Sequence, residues 1–290
     1  MGRSLNSNRV GSIGIIAPVR TGTTMYEHAY YTTTMIGIES VCNDHDYDML
    51  LSVYNITEKG FDYLRLFYER KVDGLILFTP NTDHPRMAEI AKEQIPCVII
   101  GDRTDHLLKI SYVDANNESG FYTLTETLIK KGHTRIAFVK GPGSNRNAED
   151  RYKGFLRALN RHKLTINKNY IFKGRFDADS GVEAMQQFMK LKKFPSAIMC
   201  ANDFMAFGVM AEASKNKIRI PDDLSVVGFD GVEAVKFTTP PLTTVRQPVL
   251  RMGQKAAEIV IDMIKNNTYS SEGSIFNVDI LEHGSIAPLH

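Results

Sequence analysis

Short apolar runs alternate with longer segments of helical spacing from one end of the chain to the other. The runs are Ile13–Val19 (IGIIAPV), Met49–Val53, Gly74–Phe78 (GLILF), Cys97–Gly101 (CVIIG), Arg135–Val139 (RIAFV), Ala197–Cys200 (AIMC) and Ser225–Phe229 (SVVGF). They are continuously apolar and do not alternate with polar residues. Such a strand is buried on both faces, as in a parallel sheet covered by helices. Helical spacing covers about 27–44, 59–70, 83–93, 117–131, 146–162, 179–192, 203–216 and 249–265. The alternation predicts repeated right-handed βαβ units and an α/β fold. Asp83 before Pro85, Asp179, and Asn202-Asp203 read as helix starts, and Gly132 as a helix C-terminal cap. One sheet of about eight strands is possible, but two sheets of half that size, about four strands each, fit 290 residues better, because single cores stop growing near this size. The polar, turn-rich stretch Tyr112–Gly120 marks the expected break between two closely joined lobes.

Composition narrows the picture. Thirty-five Lys and Arg against 33 Asp and Glu leave a formal charge of +2, and 43% of residues are apolar. These values argue against intrinsic disorder and against a general nucleic-acid coat. Cys42, Cys97 and Cys200 are scattered, which fits neither a disulfide framework nor a zinc site and points to a reducing, cytoplasmic compartment. No segment approaches the length of a membrane span, so no membrane partner is expected.

In open α/β sheets ligands bind beyond the C-terminal ends of the strands. The polar residues there are Arg20–Thr24 with Tyr26, Tyr30 and Tyr31 nearby, Asp102-Arg103, Lys140–Arg146 with Arg151 one turn into the next helix, Asn202-Asp203, and Asp230. Carboxylate and amide groups take paired hydroxyls, Arg forms a fork, and aromatics cover an apolar ring face, so the set suits a small polyhydroxylated molecule. Each residue also has a plainer role. Asp102 and Asp230 could bond backbone amides. Asp203 reads first as a helix-start carboxylate. Arg151 could pair on the surface with Glu149 or Asp150. Their convergence on one edge is what favours a site. Gly141-Pro142-Gly143 falls short of a dinucleotide fingerprint, and there is no Walker loop, nucleophile elbow or metal-ligand spacing. No enzyme activity, cofactor or metal is expected.

The chain resembles the effector-binding core of the lactose/galactose repressor (LacI/GalR) family, itself similar to type I periplasmic sugar-binding proteins. The resemblance rests on Val72–Leu77, Ile95-Pro96 through Asp102-Arg103, Asn116–Gly120, Gly132–Ala137, Arg151–Phe155, Cys200–Asp203, Pro221–Asp230 and Pro240–Gln247, in order along nearly the whole chain. It implies two interleaved lobes, each a parallel-type sheet flanked by helices. Their expected extents are 11–116 with 248–275 and 117–247 with 276–290, after a residual hinge at 1–10. It also implies effector contacts at Tyr30, Tyr31, Asp102, Arg151, Phe176, Asn202, Asp230 and Gln247. The implied protein is a homodimeric regulator whose effector sits between the lobes and changes their angle. A carbohydrate is the family's majority effector, although Arg, Asp and aromatics suit a purine as well. Arg3–Arg9 resembles the tail of a hinge that normally follows a helix-turn-helix headpiece. No headpiece precedes it, so operator DNA is expected to bind only through that missing part. A longer Arg20–Ala29 loop and Asn116 in place of Asp depart from the family pattern. A solute-binding protein of a transporter and a sugar-modifying enzyme are the alternatives, and the absent signal peptide counts against the first.

Overall fold

The computed structural model describes residues 9–19, 29–55, 60–80, 84–102, 109–143 and 145–289. The hinge-like residues 3–8, the loop at 20–28, Asp83 and Arg103 lie outside them. In chain order the first elements are β1 (Ser12–Val19), α1 (Ala29–Asp44), β2 (Asp48–Asn55), α2 (Arg65–Tyr68), β3 (Gly74–Phe78), α3 (Pro85–Lys92), β4 (Cys97–Ile100) and β5 (Ser111–Ala115). There follow α4 (Asn117–Lys130), β6 (Ile136–Lys140), α5 (Arg146–Arg161), β7 (Ile171–Lys173), α6 (Ala178–Met189), β8 (Ala197–Cys200), α7 (Asp203–Lys215), β9 (Ser225–Asp230) and β10 (Thr243–Arg246). The chain ends with α8 (Val249–Asn266), β11 (Gly273–Phe276) and β12 (Asp279–Leu281).

These elements form two compact units. The first comprises Met1–Asp114 and Pro248–Phe276, the second Ala115–Gln247 and Asn277–His290. Each holds one six-stranded sheet, ordered β11-β5-β4-β3-β1-β2 in the first and β12-β10-β9-β8-β6-β7 in the second. The strands are mostly parallel, as β1 is to both neighbours and β8 to both of its own. The β10–β12 pair is antiparallel. In each sheet the chain starts at one strand, adds its successor on one side and then crosses to the other, giving a switch point between β1 and β3 and another between β6 and β8. Continuous apolarity has the expected cause: every residue of β3, β4 and β8 is buried.

Helix ends follow local chemistry. Asn145, Asp177 and Asn202 each accept a backbone N–H at the start of α5, α6 and α7. The start of α6 is therefore capped by Asp177, and Asp179 lies inside its first turn. The cap of α3 is His84, whose ring accepts the Arg86 N–H. Gly132 follows α4 with φ +91, the left-handed conformation that ends a helix without steric penalty. Within the first unit α1 and α8 meet backbone to backbone: a Cβ on Gly37 would collide with the Leu250 carbonyl, and one on Gly253 with the Thr34 carbonyl.

The chain passes from the first unit to the second at Asp114–Ala115, inside the expected break Tyr112–Gly120, although that stretch runs from β5 into α4 with little loop between them. Two expectations need correction. Each sheet has six strands and not about four, because β5, β7, β10, β11 and β12 carry too little apolar pattern to stand out. Of the helix expected over 59–70, only Arg65–Tyr68 is helical among the described residues. The apolar spacing there serves an aromatic cluster instead: Tyr54 stacks on Phe61 at 4.8 Å, and Tyr63 meets both rings edge-on.

Candidate functional site

In the second unit β6, β8 and β9 run side by side, so their C-terminal ends share one edge beside the switch point. Arg151, on the second turn of α5, is only 4% exposed there. Its Nε donates to Asn117 Oδ1 at 2.8 Å and its Nη1 to the Ala201 carbonyl at 2.5 Å. The same Nη1 lies 3.5 Å from Asp230 Oδ1. The guanidinium carbon sits 3.9 Å from the centre of the Phe229 ring and 5.9 Å from that of Phe176. Sheet, helix start and aromatic floor thus fix the cation in one place. Glu149 and Asp150, its possible surface partners by sequence, pair instead with Lys140 and Lys153.

Asp230 ends β9 at φ +116, a region that side-chain-bearing residues rarely enter. Gln247 grips it twice, donating its backbone N–H to the Asp230 carbonyl at 3.1 Å and its Nε2 to Oδ1 at 2.8 Å. The Gln247 Oε1 is buried and has no hydrogen-bond partner among the described residues. Burial pushes the Asp230 carboxyl up to about 6, against the opposing pull of Arg151 and the Gln247 hydrogen bond. Phe176 is the second residue at this edge in a left-handed conformation, with φ +66. Its ring fills the space that a Cβ at Gly141 would take. Asn202 caps α7 by accepting the Met205 N–H at 3.0 Å, while its Nδ2 donates to the Phe176 carbonyl at 3.0 Å. One amide hydrogen of Asn202 remains by chemistry for a further acceptor.

The structure therefore brings Arg151, Phe176, Asn202, Asp230 and Gln247 together within the second unit. The first unit holds the other three candidates. Tyr30 and Tyr31 lie half-buried in the first turn of α1, with ring centres 5.4 Å apart, and Tyr31 meets Phe78 at the end of β3 edge-on, also at 5.4 Å. Asp102, 8% exposed, follows Gly101 just past β4.

Asp203 departs from its helix-start reading. It is fully buried, and its carboxylate accepts the Gly231 N–H at 2.8 Å, the Val232 N–H at 3.0 Å and the Thr244 hydroxyl at 2.5 Å. Asn117, Phe229 and Thr244 are further parts of the edge that sequence reasoning missed. Asn117 could have been found only as the first helical residue beside a buried cation, a relation invisible in one dimension. The cysteines are free and buried; burial pushes the Cys42 thiol up to about 11 and raises Cys97 and Cys200 as well. Among the described residues no cluster of acidic, His or Cys side chains could hold a metal, and no helix is long and apolar enough to cross a membrane.

Comparison with known proteins agrees with this architecture. Residues 125–278 match the family described as periplasmic binding protein-like domain. The HTH-type transcriptional repressor PurR of Vibrio cholerae serotype O1 (strain M66-2) is 34% identical over 291 residues, covering 99% of this chain and 84% of the relative. A transcriptional regulator LacI from Bacillus cereus subsp. cytotoxis NVH 391-98 superimposes with a TM-score of 0.90 at 26% identity, covering 96% of this chain and 99% of that structure. A regulatory protein of the LacI family from Chloroflexus aggregans gives 0.83 at 27% identity, over 95% and 98%. The chain belongs to the LacI/GalR family of transcriptional regulators and carries its effector-binding core.

Proposed function

We propose that the strand edge of the second unit binds an uncharged, polyhydroxylated small molecule, a carbohydrate by class, as the effector of the regulator. The observation that carries this reading is the buried Arg151–Asp230 pair at 3.5 Å beside the Phe176 ring. A cation already balanced by a carboxylate offers donors and acceptors side by side without net charge, which suits neighbouring hydroxyls. Lys140 and Arg175 are likewise balanced, by Glu149 and by Glu183 with Asp177. In this reading Arg151, Asp230, Asn202 and the unpartnered Gln247 Oε1 supply hydrogen bonds, and Phe176 covers the apolar ring face. Tyr30, Tyr31 and Asp102 stand as the first unit's own contribution to recognition, carried by the family resemblance. The regulator acts as a homodimer, which sedimentation of the 290-residue chain checks, and reaches operator DNA through a separate headpiece.

A thermal-shift screen of sugars, sugar phosphates and purine bases tests the reading, because a ligand that binds only the folded chain raises its melting temperature. Neutral sugars are expected among the hits, with the shift lost in Arg151→Ala and Asp230→Ala. Hits confined to purines or to sugar phosphates would overturn the carbohydrate class. A hit whose shift survives both substitutions would overturn the site.

A further inference from the structure

We propose that Asp203 is a positioning residue of the effector edge: it holds Asp230 in its strained conformation by gripping the two backbone N–H groups that follow it. The inference rests on Asp230 being the acidic group that meets the effector. Asp203 and Asp230 belong to different elements, the first turn of α7 and the end of β9. The two bonds to Gly231 and Val232 run to the same oxygen, Oδ2, and the Thr244 hydroxyl binds Oδ1. The carboxyl group thus ties α7, the β9 turn and β10 into one cluster. Gly228, in β9, faces it so closely that a Cβ would collide with Oδ1, so the strand has been left bare for this group.

Its effect on Asp230 is mechanical. Asp230 at φ +116 and Gly231 at φ +71 form a turn that an untethered chain would leave, since a non-glycine residue is strained there. Pinning the next two N–H groups prevents that relaxation and keeps the Asp230 carboxylate beside Arg151 and Gln247. A helix-start role would need the Asp203 side chain on the N–H groups of α7, yet Asn202 takes that duty with Met205. Burial and the neighbouring Asp230 charge push the Asp203 carboxyl well up, so its amide isostere is a close mimic. The Asn carbonyl can accept the same two N–H groups while its NH2 donates to Thr244 Oγ1.

The test reads Asp230 directly, without effector, by carboxyl-carbon NMR titration of the full chain. Wild type is expected to show Asp230 titrating near pH 6. Asp203→Asn should leave that midpoint in place. Asp203→Ala should release the turn, let water reach Asp230 and lower the midpoint by roughly one pH unit or more toward the ordinary carboxylate range. Hydrogen exchange at Gly231 and Val232 should quicken at least tenfold in the alanine variant and not in the asparagine one. If Asp203→Ala does not fold, Thr244→Val removes one anchor and should move the midpoint the same way by a smaller step; no movement overturns the proposal. Equal displacement by Asn and Ala would show an effect of charge and overturn positioning. An unmoved midpoint in the alanine variant would show that the Asp203 bonds do not hold Asp230 in place and would overturn the proposal. Because no effector enters these measurements, a failure of the carbohydrate reading leaves their outcome intact, and sugar titrations of the same variants test that reading separately.

Discussion

Replacing Asp230 by Asn should stabilise the chain at neutral pH while it weakens effector binding. The Asp230 carboxyl sits at about 6 in the folded chain against an ordinary value of 3.8. That gap of about two pH units, at 1.36 kcal/mol per unit, amounts to about 3 kcal/mol. The direction follows from linkage. A carboxyl whose folded value is raised favours folding fully below its unfolded value, and that contribution is lost as pH rises through the folded value. Ionised Asp230 therefore opposes folding above about pH 6, and protonated Asp230 does not below about pH 4. Asn imitates the protonated form and keeps an oxygen for the Gln247 Nε2. With the side chain only 13% exposed, solvent screening removes little of the effect. Urea unfolding of wild type and Asp230→Asn, followed by circular dichroism at pH 4 and pH 7.5, measures it. The expected gain is about 1–3 kcal/mol at pH 7.5, shrinking toward zero at pH 4. Contributions common to both proteins cancel in the difference. A variant less stable than wild type at pH 7.5 would refute the reasoning, because it would mean that attraction to Arg151 exceeds the penalty of burial. Loss of a charge-assisted hydrogen bond should at the same time weaken sugar binding by about 10- to 100-fold.

Two of the remaining predictions concern that edge, and the last concerns the α1–α8 contact of the first unit. Arg151→Ala should raise the Asp230 midpoint above about 6, since its compensating cation is gone, and lower sugar affinity at least about 100-fold in calorimetry. In wild type, sugar affinity should be flat above about pH 7 and fall roughly tenfold per pH unit well below 6, as Asp230 takes up its proton; a flat profile down to pH 5 would exclude its carboxylate from binding. Gly37→Ala should destabilise by about 1–3 kcal/mol or more in thermal melts, because the added carbon meets the Leu250 carbonyl and neither helix backbone can yield cheaply.

How much of this was legible in the sequence depends on where a residue's partners come from. The strands β1, β3, β4, β8 and β9 declare themselves, because burial on both faces demands an unbroken apolar run. β10 does not. Its Thr243 and Thr244 are fully buried yet polar, and they are tolerated only because the His283 carbonyl, the Ser285 hydroxyl and the Asp203 carboxylate reach them from distant segments. Hydropathy registers the hydroxyls and cannot register the partners. The same limit explains the site. Arg151, Asn202 and Asp230 stand at strand ends or one turn beyond, where an α/β sheet gathers ligands, so their type and position sufficed to nominate them. Asn117 and Asp203 bind other protein groups and no surface feature marks them, so they look like ordinary helix-start residues.

The two consecutive residues Asn202 and Asp203 show what that hidden layer does. Asn202 bonds the carbonyl of Phe176, and Asp203 bonds the amides that follow Asp230. Phe176 and Asp230 are non-glycine residues of this edge with positive φ. One dipeptide at the start of α7 therefore restrains both strained positions, one through a side-chain amide and the other through a carboxyl. Strain at a ligand-binding edge persists only where the surroundings over-determine it. Here the restraint has a definite origin: the helix cap and the buried carboxyl lie on a helix packed against β8 and β9, while Phe176 lies on the turn after β7 and Asp230 at the end of β9. The aromatic face and the acidic acceptor are consequently held as one unit, and a change in either member of the dipeptide should be felt at both.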